Sequence, residues 1–480
     1  MITAHSDEVY MNLALFNRIK AVHDNADQLG LTPVQRRLTE KYYKRFVRNG
    51  ALLSAADQDT LKSINTRLAA LQLSFVNNVM SEIANNYVVV DNADRLSGLP
   101  KNTIDAAAKL AADKGMAGKW VFTPSASTRL AVLTSADDRS LREEMYKTYL
   151  ATANRGNEFD NSKNINAILK LRQQKAKLLG FKTFADYAID PVMAKTVDAA
   201  ENLLLSIWKP AVKKVDEEVA DMQKYADAHG AGYKIEAWDY YYFAEKVKAE
   251  KYNFSEDDVR PYFKLENVVE NGLFFLANKL YGLTFTKMPK APKYNPEVTV
   301  YDVKDAKGKH VAVFMTDYYP RPVKAQGAWM MEMNQAYDFG GKSERPIVYN
   351  VCSFTAPTKD IPSLLTLDEV QTAFHEFGHA LNGMLTVAPY KGLEGTNIDR
   401  DFVELPSQLN EHWALVPEVL KNFAKHYKTG EVIPQELVDK LNESSKFNQG
   451  FITTELVGAA LLDIEWHKID WCDNIDVKGF

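Results

Sequence analysis

Apolar residues return every three or four positions along most of this 480-residue chain, a period that commits it to amphipathic helices. Residues 54–86 open with Ser54 as an expected N-cap and carry Leu61, Ile64, Leu68, Leu71, Leu73 and Phe75 on one broad stripe. Residues 200–230 repeat the pattern, with Pro210 as the expected kink and Gly230 as the stop, and residues 239–253 read the same way. Between about 283 and 354 the texture changes to "LTFTKM", "VTVYDV", "HVAVFMTDYY" and "PIVYNVCSF". These short β-branched and aromatic runs, broken by Gly, Pro and Asn, predict strands of one small sheet. After Thr366 the helices resume. The expected fold is mainly α, with one small sheet just before the last helical third.

Charge and cysteine usage narrow the function. A formal charge of −5, with both signs interspersed, leaves no basic footprint for nucleic acid or anionic lipid. Cys352 and Cys472 are the two cysteines, far apart and in no metal-like spacing, so no disulfide framework is expected. No apolar run reaches the length of a membrane span, and Asp7 and Glu8 stand where a signal peptide would need its apolar centre. Such a chain is expected in the cytoplasm, or in the periplasm if a longer native N-terminus carries a signal.

The chemistry concentrates in "FHEFGHALNG", residues 374–383. At i and i+4 on a helix, His375 and His379 stand on one face, where two imidazole nitrogens can converge on a zinc ion. Glu376 lies about 100° round the helix, placed to act as general base on water at the metal without itself coordinating. Phe374, Phe377, Ala380 and Leu381 make the helix largely buried, and two histidines and a glutamate buried without partners would be costly. A catalytic zinc takes three protein ligands and leaves the fourth position open. Downstream, Asp399, Asp401, Glu404, Glu411, His412 and Glu418 are available. Glu404 begins an apolar helical segment and Glu411 falls on the same face. Glu404 as ligand with Glu411 supporting it is therefore self-consistent, while Glu411 or His412 as the ligand stays open.

"FHEFGHALNGML" followed by "GTNIDRDFVELPSQLNEHWA" resembles the M3 family of zinc metallopeptidases, the thimet oligopeptidase group, and within it the bacterial peptidyl-dipeptidases. "TDYYPRP", "GAWM", "PIVYNVCSFTAP" and "FNQGFITTELVGAALLDIEWH" carry the resemblance across nearly the whole chain. By motif match it implies one zinc ion held by His375, His379 and Glu404, with Glu376 as the catalytic glutamate. It implies two mostly helical lobes around a deep channel, residues 1–230 and a catalytic lobe 231–480, and short unstructured peptides as substrates. "YNVCSF" would be a sheet edge that aligns an extended peptide. "KGLEGTNIDR" resembles a flexible loop over the substrate, with an ordinary surface turn as the equal alternative.

Two departures accompany this. Asn382 stands where the family usually has a third, non-ligating histidine, and the family's Gly- and Tyr-rich, oxyanion-binding segment has no counterpart up to Phe480. The start also falls late relative to the family. The expectation is a truncated product or fragment, or one of two polypeptides of which the second supplies the missing segment. The expected activity is release of C-terminal dipeptides. Its alternatives are endo-acting cleavage of oligopeptides and a catalytically weak chain that retains zinc or peptide binding.

Overall fold

The computed structural model describes residues 2–252, 255–321, 324–325, 327–357, 360–470 and 476–480. Asn253, Pro322 and Cys472, which the sequence patterns above include, lie outside the described residues. The chain divides into two compact units, Met1–Lys251 with Phe447–Phe480, and Tyr252–Lys446. Chain order groups the final residues with the catalytic lobe 231–480. Here they return to the first unit, for a reason the packing supplies.

The first unit is helical. Helix α1, Ala55–Asn85, starts where Ser54 accepts the backbone N–H of Asp57. It buries Leu61, Ile64 and Leu68, and its stripe meets Ile168 and Leu171 of α2, Ser162–Leu178. Leu73 is 63% exposed, contrary to the expected stripe, because five residues past Leu68 it has turned about 140° away. Helix α3, Val197–Ala228, runs through Pro210. The final helix, Gln449–Lys468, packs against α3. Its first turn rests on the buried carboxylate of Glu218, which accepts the N–H groups of Gly450 at 3.0 Å and Phe451 at 3.1 Å. Those donors are orphans of any helix start, and an acidic side chain there also opposes the helix dipole. A two-stranded ladder, Val88–Val90 with Trp120–Phe122, adds a sheet that the sequence patterns did not suggest.

The second unit holds the predicted sheet. Its strands are β1 Thr284–Lys287, β2 Thr299–Lys304, β3 His310–Asp317, β4 Trp329–Asn334 and β5 Ile347–Val351, in the order β1-β2-β3-β5-β4. Neighbours are antiparallel except β3 and β5, which run parallel with Phe314 opposite Val348. The "YNVCSF" strand is thus interior rather than an edge. β3 pairs along one side of β5 and β4 along the other, and β4 is the edge on that side of the sheet. A short hairpin, Tyr337–Phe339 with Lys342–Glu344, follows β4.

Helix α4, Leu367–Leu385, lies on this sheet and begins with a reciprocal cap between Thr366 and Glu369. Phe377 sits 5.6 Å from the Phe314 ring and 5.8 Å from Phe285, and Phe374 sits 5.9 Å from Phe423. Val303, Phe314, Val348, Ala373 and Ala380 complete a core in which each is almost wholly enclosed. Cys352, unpaired, is buried in the same core. Among the described residues no helix is long and apolar enough to cross a membrane.

Candidate metal centre

Core packing on one face of α4 fixes where its polar face points. Phe374, Phe377 and Ala380 are sealed against the core, which leaves His375 and His379 one turn apart on the adjoining face. The third element is α5, Leu405–Glu411, entered through Glu404, with Pro406 in its first turn. Gly378 lets α5 approach: a β-carbon there would lie 2.7 Å from the Pro406 oxygen, 2.7 Å from Ser407 Cα and 2.8 Å from Asn410 Cβ. Asn410 ties the two helices together by donating to the Phe374 carbonyl at 2.6 Å inside the core.

Glu404 Oε2 is 3.2 Å from His375 Nε2 and 3.1 Å from His379 Nε2. Each of these residues offers a ligand atom within 4.8 Å of the others, the one such group among the described residues. A four-coordinate ion with bonds of about 2.1 Å holds its ligand atoms about 3.4 Å apart, so this spacing fits a small divalent cation. Protonation agrees. Burial lowers the pKa of His379, favouring the neutral imidazole that can ligate. For Glu404, burial acts upward, but the Ser407 hydroxyl at 2.9 Å and the two histidines outweigh it and hold the carboxyl below its ordinary range.

Glu411 Oε1 lies 2.6 Å from His375 Nδ1, on the ring nitrogen away from the cluster. A carboxylate there fixes ring orientation and keeps the proton off the ligating nitrogen. Glu376, one residue on, is 5% exposed and its Oε2 has no hydrogen-bond partner. Burial, with the Glu404 charge adding and His375 opposing, pushes its carboxyl up to about 7. Of the other downstream candidates, His412 is exposed, Glu418 faces Lys279 at 3.4 Å, and Asp399 and Asp401 are exposed and outside the cluster.

Gly378, Ser407 and Asn410 had no signal of their own in the sequence. The "LPSQLN" run after Glu404 does place a small hydroxyl three residues past it, within reach of its carboxylate. Asn382, in place of a histidine, donates to the Gly395 carbonyl at 2.9 Å, and the Gly395 N–H donates to Thr386 Oγ1 at 2.9 Å. The centre of "KGLEGTNIDR" is therefore tied down, with Glu394 only 1% exposed.

Comparison with known proteins agrees with this chemistry. Residues 132–477 match the model of peptidase family M3. Dipeptidyl carboxypeptidase of Salmonella typhimurium is 38% identical over 469 residues, covering 98% of this chain and 69% of that protein. Its Escherichia coli namesake is 36% identical over 465 residues, covering 97% and 68%. Oligopeptidase A of Salmonella typhimurium is 31% identical over 473 residues, covering 97% and 69%.

Proposed function

The chain belongs to peptidase family M3 and is a metallopeptidase, and on that premise we propose that it hydrolyses short peptides with zinc held by His375, His379 and Glu404, releasing C-terminal dipeptides. The observation that carries this is the convergence of two imidazole Nε2 atoms on one Glu404 oxygen, beside a buried glutamate with an uncommitted oxygen. When bound, zinc supplies Lewis acidity, acidifying water and polarising the scissile carbonyl. Glu376 accepts the proton of the attacking water as the new C–O bond forms, and returns it to the amine as the C–N bond breaks. Glu411 and Ser407 hold His375 and Glu404 in place.

The dipeptidyl carboxypeptidase relatives support exo-cleavage. Oligopeptidase A, also similar along nearly the whole chain, supports internal cleavage as the second reading. One experiment separates them. The purified chain is assayed for bound zinc and then incubated with a short peptide carrying a free or an amidated C-terminus, products being identified by mass. Exo-cleavage gives dipeptides from the first and leaves the second intact, whereas internal cuts in both establish the oligopeptidase reading. Glu376→Gln should keep about one zinc per chain and lose about 10²–10⁴-fold in rate. Equal turnover by Glu376→Gln would overturn the role given to Glu376, and absence of stoichiometric zinc would overturn the metal reading. Repeating the assay with an added polypeptide bearing a Gly- and Tyr-rich segment tests for oxyanion donors from a second chain.

A further inference from the structure

Beside the metal helix, but outside its ligand set, two acidic side chains meet in a crowded place. Glu332 belongs to the edge strand β4, and its Oε1 is buried with no hydrogen-bond partner. The space it occupies is made by two glycines from different elements. A β-carbon on Gly395 would overlap Glu332 Oε1, and one on Gly383 of α4 would stand 3.0 Å from the same atom. Glu394, next to Gly395, is buried and already committed within its own segment. It accepts the Leu393 N–H at 2.8 Å and the Asn397 side-chain amide at 3.1 Å.

We propose that Glu332 and Glu394 form a proton-operated latch: with Glu332 as the neutral acid, residues 387–404 are clamped onto β4 and α4, and loss of that proton to solvent releases them. The elements around Glu332 provide no compensating cation among the described residues. From just past the end of the strand it meets the Gln335 side chain, and from the segment the Glu394 carboxylate. From α4 come Gly383, with the Asn382 amide engaged by Gly395, and from β5 the apolar side chain of Val348 packs on Gly383. Lys391 of the segment lies 3.7 Å from Glu344 of the short hairpin. Burial, then the Glu394 charge, pushes the Glu332 carboxyl up to about 7. Two ionised carboxylates in such a site repel, and the cost is removed by moving them apart.

The part that yields more readily is the segment, which α4 holds through two hydrogen bonds and the short hairpin through the Asp338 N–H on the Pro389 carbonyl at 3.3 Å and the Lys391–Glu344 pair, rather than β4, which is laddered to β5. Since that segment leads into Glu404, opening it would loosen the third ligand. This last consequence rests on the metal reading, whereas the latch itself does not.

Hydrogen exchange read by mass spectrometry tests the latch on the whole chain without metal or substrate, so failure of the peptidase reading leaves the result interpretable. Rates are corrected for intrinsic pH dependence and referred to a peptide from α1. Protection of residues 387–404 should fall about fivefold or more between about pH 6 and pH 8.5 in wild type, the lower end of ordinary coupling between sites. Glu332→Gln, a permanent mimic of the neutral acid, should stay protected throughout. Glu394→Gln, which removes the like charge, should also be flat and carries the test if Glu332→Gln folds poorly. A flat wild type, or a wild-type pH step persisting in either variant, would overturn the proposal.

Discussion

Gly378→Ala is the most demanding test of how the metal centre is assembled, because two effects of similar size oppose each other. Helix propensity favours alanine by about 1 kcal/mol at an interior helix position. Against this, the new methyl would meet the Pro406 oxygen and Ser407 Cα at 2.7 Å and Asn410 Cβ at 2.8 Å. Two of these are backbone atoms and cannot rotate away. Ordinary contact begins near 3.4 Å, so α5 must retreat by about 0.7 Å, and overpacking of this kind costs about 1–3 kcal/mol. The stability effect should therefore be small, a net loss of about 0–2 kcal/mol. The metal effect should be large. A shift of about 0.7 Å in the helix that begins at Glu404 exceeds the tolerance of about 0.2 Å for metal–ligand distances. An affinity loss of about 10–100-fold, the range for disturbed ligand support, is expected. Competition for zinc against a chromophoric chelator measures the affinity, and urea melts of the metal-free protein measure the stability. A Gly378→Ala protein that binds zinc within about twofold of wild type would refute the claim that helix approach sets the ligand geometry.

Glu411→Ala should lower zinc affinity by about 10–100-fold with little change in the metal-free melt, since it frees the His375 ring without opening the core. An unchanged affinity would show that the 2.6 Å contact does not orient the ligand. Asp317, at the end of β3, is gripped by Arg321 through two 2.7 Å bonds, by Lys324 at 3.0 Å and by Tyr294 at 2.9 Å. Burial acts upward on its carboxyl, yet these partners outweigh it and bring the pKa down to about 2. The folded-state pKa is depressed, so the stabilisation is complete above about pH 4 and is lost as pH falls towards 2. Asp317→Asn should cost about 3–5 kcal/mol near neutrality by leaving buried Lys324 unmatched. The gap from wild type should narrow between about pH 4 and pH 2, and urea melts at a series of pH values would expose a gap that does not narrow.

What was legible in the sequence was what depends on short separations. His375, Glu376 and His379 share one helix, so their spacing dictated their geometry, and the resumption of the helical pattern after Thr366 matches the start of that helix. Glu404 ranked first because it opens an apolar helix with Glu411 two turns on, and the structure brings both to the histidines. The position of β4 outside β5 was not legible, because strand order depends on which of several similar runs pair at long range. Nor was the closeness of α4 and α5, which is a property of Gly378 meeting Pro406 across a distance the chain does not reveal. Glu332 and Glu394, separated by sixty-odd residues, carry no sequence signal of their meeting, which depends on the space that Gly383 and Gly395 leave for one of them.

The return of Phe447–Phe480 to the first unit also sets an order of events at the ribosome. Residues 252–446 emerge as one uninterrupted piece whose core lies within itself, so that unit has everything it needs to collapse as soon as it leaves the exit tunnel. The first unit, by contrast, includes Phe447–Phe480, which are made after the inserted residues. Until Gly450 and Phe451 have been synthesised, Glu218 waits on α3 without the two donors it is destined to bind. The apolar side of α3 that the final helix will cover stays open to solvent for the whole time the inserted unit is being made. The unit begun before the inserted residues is therefore completed after them.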